Sequence, residues 1–206
     1  MRRLLILLCL LLLIRGGGSA QRVRVGAEVL LEKHLDLVKD KNLGVVCNHA
    51  SVFPNGTHLA DSLLRLGISV KALFSPEHGI RGDAPAGAKL ENQTDRRTGL
   101  PVFSLYGKTL KPTPEMLRGI DVLVVDLQDV GARFYTYAST MAEVMEAARD
   151  EGKKVIVLDR PNPINGVDIE GPVLDMTLVS FLGLFPIPVR HGLTLGELAK
   201  IIVGEG

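Results

Sequence analysis

Glu77 stands in Ser75-Pro76-Glu77-His78-Gly79, directly after the apolar run Val70 to Phe74. The proline before it fixes the backbone and the nearby glycine permits a tight turn, so a carboxyl is delivered from a strand end with little freedom. Held in a partly apolar crevice, such a carboxyl can keep its proton near neutral pH and act as a general acid. A carboxylate that caps its own turn, or pairs with Arg81, is the plainer use of the same residue. Asp129, in Asp126-Leu127-Gln128-Asp129, offers a second carboxyl for base or cation-stabilising work. Glycoside hydrolysis uses such pairs, roughly 5 Å apart in retaining enzymes and wider in inverting ones. Asp126 lies nearest the strand interior and reads as a hydrogen-bonding hub.

Around these carboxyls stand further candidates. Asn48-His49 follows the run Leu43 to Cys47, and Asp159-Arg160-Pro161-Asn162-Pro163 follows Val155 to Leu158. His49, His78 and His191 suit hydrogen bonding or orientation, since they lack the close spacing of a zinc pair such as H-E-x-x-H. Arg133, Arg160 and Arg190 can fork onto a carboxylate or phosphate, with loop bracing as the alternative for at least one. Arg133-Phe134-Tyr135-Thr136-Tyr137 carries two of the three tyrosines. An aromatic face beside hydroxyls suits stacking on a sugar; the plainer use is that Phe134 and one tyrosine fill the core, and Phe134 is expected there.

The elements that must hold these residues alternate. Strands are expected at Leu43–Cys47, Val70–Phe74, Leu100–Leu105, Val122–Val125 and Lys154–Leu158, with a short run at 187–189. Helices are expected over Glu28–Lys39, Leu59–Leu66, from Thr113-Pro114-Glu115, over Ala138–Asp150 and over Thr194–Val203. Alternation of this kind predicts an α/β fold, a parallel sheet with helices on both faces. Loops leaving the carboxyl ends of parallel strands converge, so the chemistry-bearing turns share one crevice. The 20-odd residues from Gly79 to Gly99 form a long loop of the sort that is usually functional or disordered.

Composition narrows the functions. Met1-Arg2-Arg3, the apolar stretch Leu4 to Ile14, and Arg15-Gly16-Gly17-Gly18-Ser19-Ala20 have the order of a secretory signal peptide, cleaved after Ala20. Its apolar stretch is too short to span a bilayer, which needs roughly 20 residues, so no stable membrane span remains after cleavage. Export to a periplasmic or extracellular location is expected. Removing Arg2, Arg3 and Arg15 takes the 24 basic residues to 21, against 23 acidic ones. A near-neutral surface offers no footprint for nucleic acid. Cys47 is the one cysteine beyond that segment and reads as a buried small side chain rather than a reactive thiol. Neither G-x-G-x-x-G after the first strand nor G-x-x-x-x-G-K-[ST] is present, so no cofactor is expected.

Longer motifs carry a resemblance. Ser75 to Gly82, Asp126 to Tyr137, Asp159 to Pro163, Glu170-Gly171-Pro172 and Arg190 to Glu197 resemble the NamZ family of exo-β-N-acetylmuramidases, in order from about Val25 onward. The resemblance implies a Rossmann-like N-terminal domain over residues 21–206, a second C-terminal domain that this length does not hold, and an active cleft between the two. It implies an exported peptidoglycan hexosaminidase removing N-acetylmuramic acid from the non-reducing ends of cell-wall fragments, with activity impaired in a chain of this length. By position it implies Glu77 as catalytic acid and Gln128, Asp129, Arg133 and Tyr135 as cleft residues. The lactyl carboxylate of muramic acid calls for an arginine, and Arg133, Arg160 and Arg190 are the choices. Two other readings of the same residues stay open. One is a secreted, non-catalytic module binding sugar or muropeptide fragments; the other is a metal-dependent hydrolase using His49, His78, Asp129 and His191.

Overall fold

The computed structural model describes residues 22–82, 85, 87–88 and 90–204. The expected signal peptide lies outside them. One sheet contains β1 (Asn42–Cys47), β2 (Ser69–Ser75), β3 (Gln93–Thr94), β4 (Pro101–Ser104), β5 (Val122–Asp126) and β6 (Lys154–Val157). Their order across it is β3-β4-β2-β1-β5-β6, parallel except for the short β3–β4 pairing. The chain winds outward from β1 through β2 to β4, then returns to the other side of β1 and winds outward through β5 and β6. Sheets wound in two directions open a crevice at the carboxyl ends of the strands where the direction reverses, here β1 and β5.

Strand periodicity divides the core between two faces. In β5, Val122 and Val124 pack with Leu43 and Val45, beneath α1 (Gly26–Lys33) and α2 (Leu59–Arg65). Leu123 and Val125 face the other way, onto Met141 and Val144 of α3 (Tyr137–Asp150) and Leu198 of α4 (Leu195–Ile202). Each fully buried Val, Leu or Phe contributes about 1.5–3 kcal/mol of transfer free energy, so a double-sided core fixes strand register firmly. Cys47 lies on the first of these faces, and burial pushes its thiol far up.

The end of β6 ties distant parts of the chain together. Asp159 Oδ2 accepts from Thr194 Oγ1 at 2.7 Å and Oδ1 from the Gly196 amide at 2.8 Å, while its carbonyl accepts from the Gly26 amide at 2.7 Å. Thr194 also closes a capping box with Glu197 at the start of α4.

Four expectations are corrected. No helix follows Thr113: the Leu117 amide reaches the Thr113 carbonyl at 3.2 Å, and the chain then turns at Gly119, whose φ is +74°. One turn is too short to propagate, because helix nucleation is costly. The helix expected to reach Lys39 stops at Lys33 and a 3-10 turn, Leu35–Leu37, follows. Within the long loop, Gln93–Thr94 pairs antiparallel with β4. Residues 187–189 do not join the sheet; the Val189 carbonyl accepts from the Arg133 amide at 2.8 Å instead.

Candidate active site

Glu77 occupies the first central position of a turn closed by the Gly79 amide on the Pro76 carbonyl at 3.3 Å. The second central residue, His78, has φ +72°. A side chain in that left-handed region costs roughly 1–2 kcal/mol, and strain of this kind gathers at functional turns. The half-buried Glu77 carboxyl accepts from the Gly87 amide at 2.8 Å through Oε1 and from Thr136 Oγ1 at 3.3 Å through Oε2. Arg81 is directed elsewhere, to Asp95 at 2.8 Å and Asp61 at 3.1 Å. The pairing with Arg81 that would have made Glu77 purely structural is therefore not formed. Tyr106 stands beside Glu77; burial first, then the Glu77 charge and hydrogen bond, push its phenol up.

Behind the turn lies a buried polar hub. The Tyr137 hydroxyl accepts from Asn48 Nδ2 at 2.6 Å and donates to the Glu77 carbonyl at 3.3 Å. Asn48 Oδ1 accepts from the Ala50 amide at 3.0 Å, and its carbonyl lies 2.9 Å from His58 Nε2. Because His58 Nδ1 accepts from the Ala60 amide, the proton sits on Nε2, and the ring both caps α2 and holds Asn48. Asn48 is thus only 1% exposed and fully engaged. Tyr135 packs on Tyr137 with ring centroids 4.5 Å apart. Phe134, expected in the core, is 60% exposed, and Tyr137 fills the core instead. His49 is exposed and lies against Gly82.

Asp129 belongs to a neighbouring cluster at the end of β5. Its Oδ2 accepts from the Gly131 amide at 2.6 Å and lies 3.3 Å from His191 Nε2. His191 Nδ1 accepts from the Leu193 amide at 3.1 Å, which leaves Nε2 as the protonated nitrogen facing Asp129. Both side chains are buried, and neither Asp129 Oδ1 nor His191 Nε2 has a hydrogen-bond partner among the described residues. Gly131, at φ +79°, leaves no room for a Cβ, which would collide with the Asn162 amide group. Asn162 itself donates to the Leu193 carbonyl at 3.0 Å, and Gln128 Nε2 donates to the Pro161 carbonyl at 3.0 Å. No contact joins the carboxyls of Glu77 and Asp129; the stretch from Gly131 to Tyr137 runs between their two clusters.

The three arginines are not equivalent. Arg160 forks onto Asp126 at 2.7 and 3.0 Å, with the Asp126 side chain 0% exposed. Burial pushes the Asp126 carboxyl up and the guanidinium opposes it. Arg190 binds Glu170 at 2.7 Å and Asp168 at 3.2 Å. Arg133 bonds the Pro172 and Ile187 carbonyls at 2.8 and 2.7 Å, both from Nη1. Arg160 and Arg190 are paired with carboxylates in this structure, whereas Arg133 bonds carbonyls and has no carboxylate partner among the described residues. Among the described residues, no group of three His, Cys, Asp or Glu side chains is gathered to hold a metal ion.

Sequence reasoning passed over Tyr106, Thr136 and Tyr137 as partners of Glu77. A signal for Tyr106 existed: it stands just past β4, at the same sheet end as the other turns.

These features define an α/β domain with a carboxylate-bearing turn at the carboxyl ends of a doubly wound sheet. The chain belongs to the family described as exo-β-N-acetylmuramidase NamZ, N-terminal, which matches residues 43–206. It is 50% identical over 185 residues to peptidoglycan β-N-acetylmuramidase NamZ of Bacillus subtilis (strain 168), covering 89% of this chain and 45% of that protein. Crystal structures of two DUF1343 family proteins of Bacteroides fragilis NCTC 9343 are similar. One aligns with a TM-score of 0.81 at 48% identity, over 89% of this chain and 47% of the other. The second aligns with a TM-score of 0.76 at 42% identity, over 88% and 46%. The chain spans about half the length of the relatives it matches.

Proposed function

We propose that this chain carries the acid-bearing half of an exo-β-N-acetylmuramidase site, acting on non-reducing-end N-acetylmuramic acid of peptidoglycan fragments. The observation that carries this reading is the Glu77 turn, strained at His78, anchored to Asn48 through Tyr137, and left unpaired by Arg81. Glu77 serves as general acid, with Thr136 and Tyr106 holding its carboxyl. Asp129, with a buried oxygen still to be satisfied, is the second carboxyl, and the Gly131 amide holds it. Tyr135 and the exposed Phe134 offer aromatic surface to the sugar, and Arg133 Nη2 is the donor for the lactyl carboxylate. The peptidoglycan activity of the Bacillus subtilis relative supports the assignment. We place the protein outside the cytoplasm, periplasmic or extracellular, in cell-wall turnover, on the strength of the first 20 residues.

Orientation of substrate supplies on the order of 7–11 kcal/mol in favourable cases, and in this reading the portion of the relatives that the chain does not match contributes to it. Hydrolysis of a chromogenic N-acetylmuramide, by the chain and by a form extended with the unmatched portion of the Bacillus subtilis relative, tests the reading. The extended form should be the active one, and Glu77→Gln should lower its kcat about 100-fold or more with little change in KM. Undiminished turnover in that variant removes Glu77 from the mechanism.

A further inference from the structure

We propose that Arg133 positions the Glu77 turn from a distance, by latching the loop from Pro172 to Ile187 so that Phe181, at its tip, bears on Tyr106 beside the carboxyl. What this means for turnover rests on Glu77 being the acid; the geometry does not. The loop leaves and rejoins the domain at one place. Glu170 and Arg190 exchange backbone hydrogen bonds at 3.1 and 2.9 Å. Just inside that pair, Arg133 Nη1 donates to the Pro172 carbonyl at 2.8 Å and to the Ile187 carbonyl at 2.7 Å. Loops of this size whose ends meet are compact and frequently functional.

Burial does not hold this loop down. Between Pro172 and Ile187 only Gly183 is buried, and the apolar Leu178 and Leu182 are 69% and 58% exposed. A loop without a core of its own takes its position from its hydrogen bonds, and those from a charged donor are roughly twice as strong as neutral ones. The neutral bond at the same spot, from the Leu174 amide to the Ile187 carbonyl, measures 3.2 Å. Arg133 is the one cation bonded to the loop among the described residues, and it holds both ends.

The tip is as defined as the base. Ser180 and Gly183 exchange backbone bonds at 3.1 and 2.8 Å, which leaves Phe181 and Leu182 between them. Leu182 is exposed, whereas the Phe181 ring lies 6.4 Å from that of Tyr106, tilted by 48°. Aromatic rings attract one another at this separation. Gly183 rests on the same arginine, since a Cβ there would lie 3.8 Å from Arg133 Cδ and 3.3 Å from Leu174. The stem of Arg133 supports the tip while its guanidinium ties the base.

Tyr106 is joined in turn to the acid-bearing turn. The Leu105 amide donates to the Ser75 carbonyl at 2.8 Å, just ahead of Pro76-Glu77. The Tyr106 carbonyl accepts from the Leu90 amide at 3.1 Å, shortly after the Gly87 amide that holds Glu77 Oε1. Burial first and the Glu77 charge second hold the Tyr106 phenol above its ordinary range. No hydrogen bond or ion pair joins Arg133 to Glu77 among the described residues, so the route between them runs through Phe181 and Tyr106.

Titration of Tyr106 in the whole chain, against a Tyr106→Phe control, tests the latch without substrate. Phe181→Ala uncovers the phenol, which should then titrate at lower pH. Arg133→Ala should lower it too, and the double variant should go no further than either single one. The sign separates this from simple electrostatics, because losing a nearby cation alone would push a phenol up. Phe181→Leu keeps apolar cover over the phenol and should return the titration most of the way. The Leu174 amide should exchange about 10-fold faster or more in Arg133→Ala. A Tyr106 titration that stays put or rises in Arg133→Ala overturns the proposal, as does one unmoved by Phe181→Ala. In the extended protein, Phe181→Ala should lower kcat about 10- to 100-fold with little change in KM. Unchanged kcat there, beside a loss in Glu77→Gln, overturns the positioning role and leaves the acid assignment standing. Unchanged kcat in Glu77→Gln removes the acid assignment, and the titration still decides the latch.

Discussion

The Tyr137 hydroxyl accepts from the Asn48 amide nitrogen at 2.6 Å and donates a hydrogen bond to the Glu77 carbonyl at 3.3 Å, so the end of β1 and α3 jointly hold the turn between them. Tyr137→Phe removes the acceptor for a buried amide and the donor to the turn. Leaving such a group unsatisfied costs about 1–3 kcal/mol. Urea unfolding should show that loss, and the extended protein should lose kcat more than KM because the carboxyl is displaced rather than removed.

Tyr106 offers a direct test of its proximity to Glu77 that needs no substrate. Burial and the Glu77 carboxylate both hold its phenol above the ordinary tyrosine range. Glu77→Gln deletes the negative charge and leaves burial in place. The Tyr106 phenol should then titrate at lower pH, which ultraviolet difference titration against a Tyr106→Phe control would reveal.

Arg160 and Asp126 make a prediction about stability rather than chemistry. Arg160→Ala strands a carboxyl that has no exposed surface, and breaking a buried pair on one side costs about 3–5 kcal/mol. Arg160→Lys should rescue little, because a point charge cannot replace the fork. The deficit of Arg160→Ala should shrink as pH falls, since protonating Asp126 removes the stranded charge. Denaturant titrations at two pH values would show this.

Acid should destabilise the fold in two stages. Burial holds the His58 pKa below its ordinary value of 6.5. The unfolded chain therefore takes up the proton first, so this contribution is full above pH 6.5 and declines as pH falls from there towards the folded pKa. Burial pushes Asp95 up, yet hydrogen bonds from Arg81 and Thr98 outweigh it and hold the carboxyl down at about 2. Its contribution is present above about pH 3.9 and is lost as pH drops towards the folded value. Unfolding followed by circular dichroism from pH 8 downward should show both declines. Asp95→Asn should abolish only the lower one.

The strands were legible because β1, β2, β5 and β6 are apolar runs ended by polar turns, and Asp126 was recognisable as a hub from its place inside a strand end. The bracing of Arg160 was not, because Asp126 lies 34 residues away and only sheet order brings the two together. Thr113-Pro114 looked like a helix start on local grounds, and the turn at Gly119 ended it before propagation could begin. Phe134 left its expected place in the core because α3 starts at Tyr137, which turns that ring inward and leaves Phe134 before the helix. Tyr106 carried no charge, and only its place just past β4, at the sheet end shared with the other turns, tied it to Glu77.

Asp159 receives bonds from Gly26, at the start of α1, and from Thr194 and Gly196, at the start of α4. Two segments more than 160 residues apart in sequence are thereby fastened to one peptide. Loosening either should release the other, so α1 and α4 fray as a single cooperative unit, and a protease nick in one would expose both.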